Sequence, residues 1–257
     1  MCIRDRIYTG GFNSDSIIRN EDGGLISRFY GYVADGLFQN WEEVYAHTDE
    51  HGTLIQPDAQ PGDIRFKDLD HNGVLDANDK AFIGNPYPDL MMGINIGLRY
   101  KRIDFAANFY GTFGNDIFNI TKGLYSGANG QNVWAGTLQE AWHGEGTSND
   151  IPRLSYSDLN LNYNRVSSFY VEDGSYMRCK LLQIGYTLPE KWVGGSQLRI
   201  SFSAQNPFTI TGYSGMDPER PMADGTTDSS GSVINTGIDN TAYPNPRTFL
   251  FGIDFKF

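Results

Sequence analysis

The chain has 257 residues, of which 14% are aromatic and 30 are glycine, with only 20% charged and a formal net charge of -11. That balance suits strands and tight turns better than helices, which draw on Ala, Leu, Glu and Lys. An acidic chain without a dense Lys/Arg cluster excludes a protein that grips phosphates, so no nucleic-acid partner is expected.

Cys2 and Cys179 are the two cysteines, too few for a disulfide framework and not spaced as a CxxC motif, and Cys179 reads as a free buried thiol. No run approaches the roughly 18 consecutive apolar residues of a membrane helix. A barrel strand escapes that criterion, because it needs only about 9–11 residues that are apolar at alternate positions. Met1 to Arg6 holds neither an apolar signal region nor a cleavage site, and the expectation is a chain that begins inside a longer protein.

In chain order, Leu25 to Phe38 is a less clean candidate strand. Asp68 to Asp79 then places oxygen donors at positions 1, 3, 5, 9 and 12 of an EF-hand-type loop, with Gly73 at position 6. A hard cation such as Ca²⁺ takes six to eight oxygens, and this spacing wraps them around one point. Asp68, Asp70, Asn72 and the Val74 carbonyl are the direct ligands expected, with Asp76 acting through water and Asp79 in place of the usual bidentate Glu. Its flanks read as extended, so the motif is a loop and not a complete EF-hand. An Asx-turn loop that needs no metal has the same composition.

From Gly93 to Tyr100 the apolar residues fall on even numbers. After Lys101-Arg102 the phase flips, and Ile103, Phe105, Ala107, Phe109 and Phe113 are odd. Two alternating runs with a tight polar connection predict a hairpin. Trp134, Leu138 and Trp142 have near-helical spacing within 115–145. Leu182 to Leu188 alternates again, and so does Leu198 to Ala204 after a short turn, Pro189 to Ser196. The last strand sets Phe249, Phe251, Ile253, Phe255 and Phe257 against Leu250, Gly252, Asp254 and Lys256. Alternation of this kind fits a soluble sandwich as well as a membrane barrel. The connections come in two lengths: some are short, while Ala46 to Pro61, Gly114 to about Ser168 and Gly212 to Pro246 are long and polar. That is the normal pattern of barrels with short turns on one side and long loops on the other, but the alternation itself leaves sandwich and barrel both open.

Eight stretches carry a family likeness: Phe29 to Phe38 (FYGYVADGLF), Pro61 to Asp68 (PGDIRFKD), Ile83 to Asp89 (IGNPYPD), Gly111 to Asn119 (GTFGNDIFN), Val171 to Arg178 (VEDGSYMR), Gly185 to Pro189 (GYTLP), Ala204 to Thr209 (AQNPFT) and Tyr243 to Phe249 (YPNPRTF). In this order they resemble the C-terminal portion of the SusC/RagA-type TonB-dependent receptors of Bacteroidetes, over about residues 25–257.

The resemblance implies an all-β fold: residues 1–257 as the C-terminal segment of a transmembrane antiparallel β-barrel, about eight strands of a barrel of about 22, with long extracellular loops. It implies an outer-membrane location and import of glycans or peptides with a SusD-type lipoprotein lid, driven by TonB acting through a plug. The signal peptide, plug and first barrel strands are not in the sequence, so the segment by itself is expected to be transport-incompetent. Ile94, Ile96, Leu98, Ile103, Phe105 and Phe109 would then face outer-membrane lipid, and Asn95, Arg99, Asp104 and Asn108 the lumen. Tyr100, Trp192 and Phe257 would sit in the interfacial aromatic girdle. Phe249, Phe251, Ile253, Phe255 and Phe257 would form the terminal signal that the barrel-assembly machinery reads.

No enzyme is expected. His47, His51, His71 and His143 form no HExxH, Gly212 to Gly215 is too short for a nucleophile elbow, and no phosphate-binding loop occurs. Carboxylate pairs such as Glu42-Glu43 follow from the 31 acidic residues. Loop aromatics Trp41, Tyr125, Trp134, Trp142 and Tyr213 have three open roles: stacking on sugars, meeting the lid, or packing on the plug. A secreted, calcium-ordered β-sandwich that binds carbohydrate is the alternative reading.

Overall fold

The computed structural model describes residues 10–12, 15–21, 23–25, 27–124, 132–133, 135–219, 236–239 and 243–257. The chain divides into two compact units, one of residues 87–116, 173–220 and 242–257, the other of residues 1–86, 117–172 and 221–241.

The first unit is one antiparallel sheet of β1 (Leu90–Tyr100), β2 (Ile103–Phe113), β3 (Tyr176–Thr187), β4 (Gln197–Gln205), β5 (Thr209–Thr211) and β6 (Thr248–Lys256). The order is β1-β2-β3-β4-β6, with β5 pairing β3 where β4 has ended. Neighbours in sequence are neighbours in space, the up-and-down path of a barrel wall. The five long strands span 9 to 12 residues each, matching the length that crosses a bilayer when tilted.

The alternating residues form these strands because each presents a β-branched or aromatic face at period two. Lys101 and Arg102 alone join β1 to β2, and Lys101 takes a left-handed φ of 54° to close the turn. A short helical turn, Glu190–Trp192, lies within the β3–β4 connection. Register places Tyr100 opposite Ile103 and Leu198 opposite Phe255, so both short turns and the terminal residue fall at one end. The long connections leave from the other. Between Cys179 and Leu181 the register slips by one residue, leaving Lys180 as a bulge. The slip keeps buried Cys179, a free thiol, in phase with Leu182.

The second unit is built of smaller pieces. Ile18–Arg19, Arg28–Tyr32 and Lys80–Gly84 form one sheet, and Ala34–Leu37 pairs with Ile64–Phe66 in another. Its core gathers Ile17, Ile18, Phe29, Phe118, Val166 and Tyr170, with Phe29 edge-on to Phe118 at 5.7 Å. A smaller cluster packs Tyr32, Leu37, Ile64 and Phe66.

Leu25 to Phe38, expected as one strand, is therefore two, broken at Val33 because its halves pair with different partners. Neither half joins the long sheet. Among the described residues that sheet has five long strands and one short one, fewer than the expected eight. Near-helical spacing around Leu138 does give a short helix, Ala135–Glu140.

Candidate functional site

The long sheet has two chemically distinct faces. Leu98, Phe105, Ile184, Phe202 and Phe251 lie in one row across the five strands. Ile96, Ala107, Leu182, Ala204 and Phe249 form the row on one side of it, and Tyr100, Ile103, Tyr186, Ile200 and Ile253 the row on the other. Much of this face is uncovered: Leu98 is 63% exposed, Phe251 69% and Ile253 64%. A contiguous apolar surface of that extent marks contact with a partner or a membrane. Phe249, Phe251, Ile253 and Phe255 share this face along β6, and Phe257 follows in the same phase at the exposed terminus.

The opposite face carries Asn95, Asn108, Gln183, Ser201 and Ser203, together with charges in pairs. Arg199 meets Asp104 through two bonds, at 2.7 and 3.1 Å, and Asp254 at 3.2 Å. Toward the long-connection end, Arg178 is 4% exposed and fully engaged. Its Nε donates to Thr209 Oγ1 at 2.8 Å, and its two Nη groups to Glu219 and Asp217 at 2.5 Å each. Lys180 also bonds Glu219. Burial pushes the Asp217 carboxyl up, but Arg178 and the N–H groups of Asn245 and Glu219 outweigh it and hold that carboxyl below its ordinary value. Sequence reading missed this network. Arg178 stands on the polar phase of β3, but its carboxylate partners are 39 and 41 residues away, and no local pattern records them.

The loop Asp68 to Asp79 is held by its own side chains. Asp68 Oδ2 accepts from Gly73 N at 2.8 Å, Asp70 Oδ1 from Asn72 N at 3.1 Å, and Asn72 Oδ1 from Val74 N at 2.8 Å. Asp79 is fully buried and accepts from Leu69 N at 2.7 Å and Asp76 N at 2.8 Å. Gly73 has a φ of +82°, and a Cβ there would lie 2.6 Å from Asp49 Cβ, so the tight turn requires glycine on both counts.

Of the expected ligands, Asp68, Asp70 and Asp79 bring one carboxylate oxygen each within 4.8 Å of one another. Asp76 turns instead to cap the following helical turn, accepting from Asn78 N at 2.7 Å. Asp68 Oδ1 is buried without a protein partner, and three convergent carboxylates without a cation among them repel. This donor set fits a hard divalent cation. Asp68 also lines an open cavity of about 460 Å³ with Asp35, His47, Asp49, Lys67 and His71, so the loop is reachable from solvent.

The loop aromatics take different places. Trp41 and Tyr45 stack at 5.6 Å, both exposed. Trp142 donates to Gln39 Oε1 at 3.1 Å, and Tyr213 is buried. Tyr125 and Trp134 lie outside the described residues.

No family model matches the chain. It is 37% identical over 239 residues to TonB-dependent receptor P3 of Formosa agariphila, which covers 92% of this chain and 22% of that protein. It is 28% identical over 274 residues to TonB-dependent receptor SusC of Bacteroides thetaiotaomicron, covering 97% and 23%. Among solved structures, the RagAB peptide importer in its open-open state matches with a TM-score of 0.62 at 20% identity, covering 91% of this chain and 23% of that one. The chain thus spans less than a quarter of the length of these relatives. Over nearly all of its own length, the chain is a relative of the SusC/RagA-type TonB-dependent receptors and has the fold of one segment of their β-barrel.

Proposed function

We propose that the chain forms the C-terminal wall of an outer-membrane importer, taking up glycans or peptides with a SusD-type lipoprotein and energy from TonB. The uncovered apolar face carries this reading. Its rows run unbroken across five strands while the other face is mostly polar, with Met91 and Leu250 as apolar exceptions, the division that a wall between lipid and an aqueous lumen requires. A β-sandwich would bury that face against a second sheet, and among the described residues none lies over Phe251, which is 69% exposed.

In this reading the short turns face the periplasm and the long connections the exterior. The alternating terminal residues Phe249 to Phe257 engage the barrel-assembly machinery. Asp68, Asp70 and Asp79, with Asn72 and the Val74 carbonyl, hold a structural Ca²⁺ that orders an outside loop and has no catalytic part.

The test is made on the full-length receptor in its native membrane. Phe251→Cys should stay unlabelled by a membrane-impermeant maleimide while Ser203→Cys reacts once urea has displaced the plug from the folded barrel, and deletion of the gene should abolish uptake of labelled oligosaccharides or peptides. A receptor recovered in the soluble fraction, with Phe251→Cys freely labelled, would falsify the assignment.

A further inference from the structure

We propose that Gly212–Glu219 is a strap laid across the polar face of the sheet, that Arg178 positions it, and that it lines the passage of the barrel. The last clause rests on the polar face being the lumen side.

Register fixes where Arg178 points. It lies opposite Tyr110 on β2 and Thr209 on β5, in the polar phase, whereas its neighbour Cys179 lies opposite Phe109 in the apolar one. Its bonds to Asp217 and Glu219 therefore draw the returning chain over the polar face and not around the lipid side. Burial agrees: Arg178, Tyr176, Tyr213 and Asp217 are 2–6% exposed, although polar positions nearer the short turns, such as Ser203, are only partly covered.

Other bonds lock the same segment. Asn245 donates its backbone N–H to Asp217 Oδ2 at 2.8 Å and its side-chain amide to Glu219 Oε2 at 3.0 Å, tying the chain that leads into β6 to the strap. Two cations, Arg178 and Lys180, meet two carboxylates, Asp217 and Glu219, so the clamp is charge-balanced beneath the strap. Its outer side presents Ser214 and Met216, both exposed. The strap thus narrows the passage by the thickness of one layer packed on a sheet face, roughly 10 Å, with a hydroxyl and a thioether as the surface that a passing solute meets. Among the described residues of the strap no unbalanced charge faces the solute, so selection by the strap works by size.

The experiment uses the full-length receptor in outer-membrane vesicles, in a cysteine-free background, with a sulfonated, membrane-impermeant maleimide as the probe. Met216→Cys should react readily and Tyr213→Cys slowly. Adding Arg178→Gln should speed labelling of Tyr213→Cys by on the order of tenfold, as expected when a locally protected segment opens. Arg178→Lys should restore part of the protection, since an ammonium still reaches Asp217 but without the fork. Glu219→Gln, which leaves the Arg178–Asp217 bond intact, should give a smaller increase and serves if Arg178→Gln does not assemble. Heat-modifiable migration on gels reports that the barrel itself is intact. Equal labelling of Tyr213→Cys with and without Arg178, or an unreactive Met216→Cys, overturns the strap. A reactive Phe251→Cys overturns the assignment of the faces and the strap with it, whereas a silent Phe251→Cys beside unchanged Tyr213→Cys labelling overturns the strap alone.

Discussion

Asp104 on β2 and Arg199 on β4 meet at 2.7 Å although β3 runs between their strands. The bridge passes over Gly185, which lies opposite both Asp104 and Ser201. A Cβ at Gly185 would fall 2.5 Å from Arg199 Nη2 and 2.6 Å from Asp104 Oδ1. Glycine at this point is what lets an ion pair span three strands. Gly185→Val should therefore displace the ion pair and destabilise the sheet by up to about 1 kcal/mol, the worth of a part-exposed bridge, and an Arg199→Met variant should lose most of that sensitivity. Urea midpoints of the refolded barrel compare the two backgrounds, and an equal loss in both would show that the bridge is irrelevant.

The two faces should respond oppositely to charge. Ile184→Arg places a guanidinium at mid-strand on the apolar face and should cost about 2–4 kcal/mol of folding into lipid vesicles. Gln183→Arg, one residue away on the other face, should change stability by less than about 1 kcal/mol. Folding titrations in lipid decide the matter, and equal penalties would mean that neither face meets hydrocarbon.

Calcium should order the loop Asp68 to Asp79. A cation that binds only the folded loop at about a hundredfold over its Kd adds roughly 2.7 kcal/mol, which should slow proteolysis within the loop relative to a chelator-treated sample. Asp68→Asn should remove that protection, because the convergent carboxylates lose a member. Asp76→Asn should keep it, because its carboxylate caps the helical turn at Asn78. Identical cleavage with calcium and with chelator would rule out an occupied site.

Acid should loosen the turn that follows the helix Trp41–Ala46. Burial, and then the charge of Arg65, push His47 below its ordinary 6.5, against the opposing pull of the Phe66 carbonyl, Asp68 and Asp35. The folded chain thus prefers a neutral ring. Its contribution is complete above about pH 6.5 and is lost as pH falls through the lowered value. The hydrogen-exchange protection factor at Ile55, whose N–H donates to the His47 carbonyl at 3.1 Å, should fall over that interval, and His47→Phe should abolish this pH dependence. An unchanged protection factor across the interval in the native chain would count against it.

The helices and loops show how far local pattern carries. Residues 68–79 close through Asx-type bonds between residues two to five apart, so their donor order was visible in sequence. Asp76 was not: its choice between a ligand and a cap depends on Asn78 and Asp79 adopting a helical turn. Leu25 to Phe38 looked continuous because its composition does not reveal that Tyr32 and Ala34 belong to different sheets.

The sequence by itself determined the hairpins, the phase of each long strand and hence the two faces, because side chains alternate along a strand whatever its neighbours are. Only the tertiary structure decided that β2 lies beside β3 and β4 beside β6, where Lys180 bulges, and that Arg178 meets Asp217 and Arg199 meets Asp104. Those partners lie 39 and 95 residues apart, and a contact over such a span is set by the closing of the sheet, which no local periodicity encodes.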